Sequence, residues 1–468
     1  MYEQLKRLLL RQILEEAIAP GGRLPTEHEL CATYGISRTP VHRALAELSN
    51  EGVVVRHRRR GTFVNPHWVR RNAAATEVRV VVPDGPWEGL IRAVLPDDMT
   101  LSVVTVDLPS LREHLVHAVA AGVAPDLAVV DSVWVSEFAR SGFLHGMNAI
   151  DAPWIAGEYA HDFVDAFVAS NRWGDSTVAV AAEADVAGLW FERERITGAS
   201  GRGTPATWRD LERALRAVQR DGSAHPLVLP GGAPSGEATT YCLLAVLASN
   251  GAQVVADGAV ALGEPAAVEA LALLHRMARR GLVPREVTTW PRERPILALG
   301  TGQAACALGG SYELPALAAA AGVDLDAARR RFGFAAMPAG PSGGHRTLAG
   351  GMVNVIFRQA SAPRQAMRLV RRLAEPDAQV RMAEITGQLP ARRSALARVV
   401  AASPFLADTA AMLESSVVRP AVPSYGRVSQ QLQTMLEDLL LGRSAPAAAA
   451  RHTAELVAAI TGLPLRGG

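Results

Sequence analysis

The chain has 468 residues, 49% of them hydrophobic and 20% charged, with a formal net charge of +2. That length exceeds what one core organises and predicts two or three folding units of ordinary globular composition. No stretch reaches the ~20 unbroken apolar residues of a membrane span, and the first residues lack the apolar run and small-residue cleavage site of an export signal, so a cytoplasmic protein with no membrane partner is expected. Cys31, Cys242 and Cys306 form no CxxC pair, which argues against a disulfide framework or a thiolate metal site. Lys6 is the only lysine, so the large C-terminal region has no residue for a pyridoxal-phosphate Schiff base or a phosphate-loop lysine. No cofactor is expected. Charge is uneven: residues 1–70 hold eleven basic side chains against seven acidic ones, a net +4, and the rest of the chain is net −2. Such a basic N-terminal segment fits a nucleic-acid partner.

In chain order, Leu5, Leu8, Leu9 and Ile13 fall at helical spacing and predict a first helix ending before Pro20-Gly21-Gly22. Thr26 with Glu29 forms a capping box opening a short helix from about Glu27 to Thr33, and Glu27 reads as a second capping residue. Gly35 supplies a tight turn, and Ser37 caps a third helix reaching about Asn50. There Val41, Ala44, Leu45 and Leu48 make the buried stripe, leaving Arg38, Thr39, His42 and Arg43 facing outward near the positive end of the helix dipole. Arginine in that position can make paired hydrogen bonds to a guanine edge in a major groove. Two short β runs, Val53 to Val55 and Thr62 to Val64, flank the cation cluster Arg56-His57-Arg58-Arg59-Arg60-Gly61 as a hairpin.

Leu24-Pro25-Thr26-Glu27, Ile36-Ser37-Arg38-Thr39-Pro40-Val41-His42-Arg43-Ala44-Leu45, Glu51-Gly52-Val53-Val54 and Gly61-Thr62-Phe63-Val64 together resemble the GntR-type winged helix-turn-helix. The resemblance implies contacts to double-stranded operator DNA by Arg38, Thr39 and His42, with Arg43 and His28 alongside, and a wing of Arg58, Arg59, Arg60, Gly61 and Thr62 over the backbone or minor groove. It also implies a homodimer on a near-palindromic site. Members of that family usually carry arginine where His28 and His42 stand, and often glycine where Arg59 stands. Histidine changes charge near neutrality, so DNA affinity is expected to fall between about pH 6 and 8 more than for typical relatives.

Residues 67–77 have no hydrophobic period and read as a linker. Beyond it, Val78 to Val82, Leu101 to Val106 and Asp126 to Asp131 are apolar strands, with a helix from about Ser110 to Ala121 between the last two. This alternation predicts a parallel sheet with covered faces. Ligands in such sheets bind beyond the strand C-termini, where Asp84 and Asp131 stand. Helices follow at Thr207 to Arg220, Glu237 to Ser249, Pro265 to Arg280 and Pro363 to Leu373, with strands at Phe332 to Met337 and Met352 to Phe357. Two long helices close the chain, from about Arg427 to Leu441 and from about Ala447 to Ile460.

Pro125 to Asp131 with Trp134 and Gly142-Phe143-Leu144, then Ala298 to Ala305 with Gly309-Gly310-Ser311-Tyr312, Gly350-Gly351-Met352 and Pro423-Ser424-Tyr425 resemble the solute-binding proteins of ATP-driven importers, particularly those that take sugars. The fold implied is α/β: a small winged helix-turn-helix over 1–66, and a two-lobed, type II periplasmic-binding-protein-like domain over 78–462. Sugar sites set aromatic faces against pyranose CH groups and polar side chains against hydroxyls. By family position the candidates are Asp131, Trp134, Glu183, Asp185, Glu237, Trp290 and Tyr312, while Trp154, Trp190 and Trp208 read as packing residues. The expected function is a DNA-binding regulator whose effector is a small molecule, a carbohydrate. The alternatives are an importer's binding component and, more remotely, an enzyme with a DNA-binding head. Glu183 and Asp185 could form a hydrolytic carboxylate pair, although no other catalytic signature accompanies them.

Overall fold

A computed structural model of the chain describes residues 2–14, 18–57, 60–66, 68, 77–200, 204–222 and 224–466. It divides into two compact units: Met1–Ala128 with Ile356–Arg372, and Val129–Val355 with Leu373–Gly468. Among the described residues no helix is long and apolar enough to cross a membrane.

The first unit begins with three helices and a hairpin: α1 (Tyr2–Leu14), α2 (Glu27–Tyr34), α3 (Arg38–Asn50), β1 (Val54–His57) and β2 (Gly61–Val64). Leu5, Leu9 and Ile13 of α1 pack with Leu30, Val41, Leu45 and Leu48 in one buried cluster. Each fully buried aliphatic side chain there contributes about 1.5–3 kcal/mol. Leu8, counted with that stripe in the sequence, is instead exposed. Lys6 fastens α1 to α3 through Glu47 at 3.1 Å and through Glu51. The capping box is present: the Thr26 hydroxyl accepts from Glu29 N at 3.3 Å, and the Glu29 carboxylate accepts from Thr26 N at 2.7 Å. Gly35 closes α2 with φ of +61°. Ser37 occupies the cap position of α3 in extended backbone, but its hydroxyl makes no capping bond, contrary to the sequence expectation. The hairpin is antiparallel, with Arg56 opposite Thr62 and His57 opposite Gly61.

The same unit continues through β3 (Glu77–Pro83), α4 (Trp87–Ala93), β4 (Thr100–Val106) and α5 (Leu108–Ala120) into β5 (Leu127–Asp131). β3 pairs in parallel with both β4 and β5, as the apolar runs predicted. α5 starts earlier than expected because Asp107 caps it, accepting from Ser110 N at 3.1 Å. Asp126 is fully buried, yet it receives Arg79 N, Ser361 Oγ and Ala362 N at 2.9, 3.0 and 3.1 Å.

In the second unit the central strand, β7 (Asp185–Glu192), follows the short β6 (Val180–Ala181). α6 (Trp208–Asp221), β8 (His225–Val228), α7 (Glu237–Ser249) and α8 (Pro265–Arg279) come next, then β9 (Ala304–Gly310), β10 (Phe332–Ala335), β11 (Ala349–Gly350) and β12 (Met352–Ile356). β8 and β9 are parallel, whereas β7 runs antiparallel to β9, β10 and β11, so this sheet is mixed. α7 is buried on every face, Ala238 to Ser249 all being buried. The terminal helices are α9 (Tyr425–Leu441) and α10 (Pro446–Thr461), with Pro446 in the first turn, where its missing N–H leaves no bond unmade. Trp154, Trp190 and Trp208 are buried, as packing residues should be.

Candidate functional site

In the head, Arg38, Thr39, His42 and Arg43 are all exposed on the first two turns of α3. Two of them converge on one carboxylate. Glu27 of α2 accepts from Arg38 Nε at 3.2 Å and from Arg56 of β1 at 2.7 Å, and His42 Nδ1 stands 3.0 Å from its Oε1. These hydrogen bonds, His42's first, hold the Glu27 carboxyl below its ordinary value against partial burial. Glu27 is thus an organiser of cations rather than a capping residue, and it spans the recognition helix and the wing. Arg43 behaves differently, lying over the Tyr2 ring at 3.9 Å and pairing with Glu47 at 3.5 Å. His28 is exposed on α2. In the wing, Arg60 is exposed, Thr62 O accepts from Leu24 N at 2.9 Å, and Gly61 has φ of +114°. A Cβ at Gly61 would stand 3.0 Å from Arg23 Nε, so glycine answers both a backbone and a space requirement. Arg58 and Arg59 lie outside the described residues.

In the second unit, Asp131, Glu183, Asp185, Glu237 and Tyr312 come together, although they are spread over 180 residues of sequence. Two glycines of the β11–β12 junction are the reason. Gly350 pairs with Asp185, and a Cβ there would lie 2.8 Å from Arg419 Nη1 and 2.9 Å from Asp185 Oδ1. Gly351, at φ of +143°, accepts Ser132 N at 3.2 Å, and a Cβ on it would stand 2.3 Å from the Glu183 carbonyl oxygen. The end of β5, the approach to β7 and the β11 turn therefore meet at backbone contact.

Around this junction Glu237, the first residue of α7, is fully engaged: Arg419 Nε donates at 2.8 Å, Tyr425 Oη at 2.7 Å and Ser429 Oγ at 2.7 Å. Asp185 accepts the Tyr241 hydroxyl, and Arg419 lies over the Tyr241 ring at 4.8 Å. Tyr312 stands 6.2 Å from Tyr241, centroid to centroid, with Arg292 5.7 Å above its ring. Glu313 turns back to accept Gly310 N at 3.0 Å. The room for it exists only because residues 309 and 310 are glycine: a Cβ at Gly309 would fall 1.7 Å from the Glu313 carboxylate, and one at Gly310 would fall 2.1 Å from the Tyr312 ring.

Burial governs the titration here. It pushes Glu183 up to about 8, with the Asp185 charge adding to the effect. It pushes Asp185 to about 6 and Glu313 to about 8, against the Tyr241 and Gly310 hydrogen bonds respectively. Glu237 is raised for the same reason despite Arg419. One Glu183 oxygen, Oε2, has no hydrogen-bond partner among the described residues.

Two candidates stand apart from this cluster. Trp134 is half-buried and packs on Phe138 at 6.3 Å; Trp290 packs edge-on to His225 at 6.3 Å, with Arg294 over its ring. It is Arg292, two residues beyond Trp290, that reaches Tyr312. Asp84 caps α5 by accepting Leu108 N at 3.2 Å. Sequence reasoning passed over Tyr241, Arg292, Glu313, Arg419 and Ser429, and it noted Tyr425 only as part of a motif. An open depression lined by Ser132, Ala349, Arg419 and Tyr425 brings solvent to the edge of the cluster.

Comparison with known proteins bears on both regions. Residues 1–64 match the model of the bacterial regulatory proteins of the gntR family, and residues 97–413 match that of a bacterial extracellular solute-binding protein family. The histidine utilization repressor of Klebsiella aerogenes is 43% identical over 63 residues, covering 14% of this chain and 26% of its own. A solute-binding protein of an ABC transporter from Thermotoga lettingae, solved with α-D-tagatose bound, superposes with a TM-score of 0.72 at 21% identity, over 83% of this chain and 100% of its own. The GacH receptor of Streptomyces glaucescens, solved unliganded and with acarbose, gives 0.73 at 19% identity, over 83% and 99%. The fold is therefore the periplasmic-binding-protein type behind a winged helix-turn-helix, as the sequence motifs predicted.

Proposed function

Because the chain belongs to the bacterial extracellular solute-binding protein family and carries a GntR DNA-binding domain ahead of it, we infer that it is a cytoplasmic transcriptional regulator whose operator binding is set by a carbohydrate. The observation that carries this reading is the fusion itself: one chain holds a reader of DNA and a receptor fold, so occupancy of the second has an outlet in the first. The site chemistry supports the carbohydrate. Tyr241 and Tyr312 bring aromatic rings, while Asp131, Asp185 and Arg419 bring the acceptors and donors that desolvated hydroxyls need. We assign the DNA-binding domain to residues 1–66, the linker to 67–77 and the effector domain to 78–462. We assign DNA contacts to Arg38, Thr39, His42 and the wing, and the active form to a homodimer on two half-sites. The ligand acts by binding one conformational state better than the other. Both families are binding families, so the reading is recognition rather than turnover.

Fluorescence anisotropy of the full chain on its own upstream DNA, at fixed salt with a panel of mono- and oligosaccharides, tests this. One sugar is expected to shift DNA affinity, and a panel with no effect removes the carbohydrate.

A further inference from the structure

An acidic side chain on a surface that meets DNA repels the phosphates, so its presence there calls for a reason. Three acids of the head have local tasks: Glu29 closes the capping box, and Glu47 and Glu51 hold Lys6. Glu27 has none of these. It is the first residue of α2, yet its side chain reaches across to α3 and β1. Both of its oxygens are taken: Oε2 accepts from Arg38 Nε at 3.2 Å, while Oε1 accepts from Arg56 Nη2 at 2.7 Å and lies 3.0 Å from His42 Nδ1. The Glu27 side chain is 21% exposed against 84% for Arg38, so the carboxylate is the more withdrawn of the pair. That placement suits support of the arginine better than contact with a base.

The point of contact on Arg38 matters. Glu27 takes Nε, which leaves Nη1 and Nη2 with no protein partner among the described residues. Those two nitrogens form a fork that fits guanine O6 and N7. Fixing the plane of the fork beforehand removes the ordering cost that a free arginine meets on binding. The same carboxylate also lets a second guanidinium, Arg56 on the wing strand, stand nearby without the two cations repelling each other apart.

We propose that Glu27 is a positioning residue for sequence readout: by holding Arg38 and Arg56 on its two oxygens it sharpens base discrimination, while its charge weakens attraction to DNA in general. This rests on the operator-binding reading above and deepens it. The two effects have opposite signs, so they separate in experiment. On charge alone, removing an acid tightens binding to every duplex. Acting through Arg38, its removal weakens binding only where a base is read.

Anisotropy titrations of the full chain at fixed salt test this on two duplexes, its own upstream DNA and a scrambled duplex of the same length and composition. Glu27→Gln is expected to bind the scrambled duplex more tightly than wild type does, and to lose about tenfold in the ratio of the two affinities, within the range that one paired arginine–guanine contact discriminates. Glu27→Asp keeps the charge but shortens the reach, so its ratio should fall too; it serves if the first variant shows a lowered thermal midpoint. In an Arg38→Ala background, Glu27→Gln should change the ratio much less. An unchanged ratio in both Glu27 variants, with binding to the two duplexes altered by the same factor, leaves only a charge effect and overturns the proposal. A loss that persists in full without Arg38 means that Glu27 reads a base itself, and also overturns it. Wild type with no preference between the duplexes removes the operator reading, and the proposal with it.

Discussion

Two glutamates, one in each region, show how differently the same side chain is used. Glu27 in the head takes two arginines and a histidine as partners at a half-open surface, and they hold its carboxyl below the ordinary value. Glu183 in the effector unit is sealed away with an unmet oxygen, and burial lifts it to about 8. The head has its polar groups arranged in advance of any partner, in solvent where each bond is individually modest. The effector cluster holds a buried carboxylate with one oxygen unmet among the described residues, in surroundings where such a group is expensive. Preorganisation and incompletion thus divide between the part that reads and the part that senses.

The largest way to break this contrast is at Gly351. Replacing it by alanine demands a positive φ of a side-chain-bearing residue and drives a Cβ against the Glu183 carbonyl. Gly351→Ala should cost about 4 kcal/mol or more in the effector unit, read as a lowered unfolding midpoint in urea. DNA binding by the head at low temperature should survive, and a midpoint unchanged from wild type would mean the junction yields easily.

Next is the pH dependence of stability. The folded chain keeps the Glu183 proton up to about 8, while the unfolded chain releases it near 4.5, so folding loses stability as pH rises through that window. Glu313 (about 8) and Asp185 (about 6) act in the same direction. Glu183→Gln should therefore flatten the decline between about pH 5 and pH 8 by on the order of 3 kcal/mol. Parallel curves for variant and wild type would show that Glu183 is ionised at neutral pH.

The smallest effects separate two caps in the head. Thr26→Ala removes a complete capping box and should cost about 1 kcal/mol. Ser37→Ala removes a hydroxyl with no capping bond and should cost less than about 0.5 kcal/mol. Equal losses in thermal unfolding would mean that Ser37 caps α3 in solution.

The head was legible in the sequence almost residue by residue because its signals are local: Thr26 with Glu29, Gly35, the Val41 to Leu48 stripe, and the hairpin around Arg56 to Gly61. Ser37 failed where a backbone preference was read as a bond, and Glu27 failed because its partners come from α3 and β1, invisible to a reading of α2 alone. In the effector unit, Glu183, Asp185 and Glu237 stood beside elements the sequence could place. Arg419 and Tyr425 are more than 180 residues from Glu237, and no periodicity announces that meeting. The glycines at 309, 310, 350 and 351 were visible as motif letters, but their purpose, to let Glu313, Tyr312, Arg419 and Glu183 approach the backbone, exists only in three dimensions.

The scarcity of lysine has a consequence for how this protein can be handled, by the cell or at the bench. Acylating enzymes, aldehydes and amine-reactive dyes find one ε-amine in the whole sequence, and that amine is the clasp between α1 and both Glu47 of α3 and Glu51 just past its end. Any chemistry that neutralises Lys6 therefore acts on the DNA-reading head by loosening α1 from α3, and leaves the receptor fold chemically untouched.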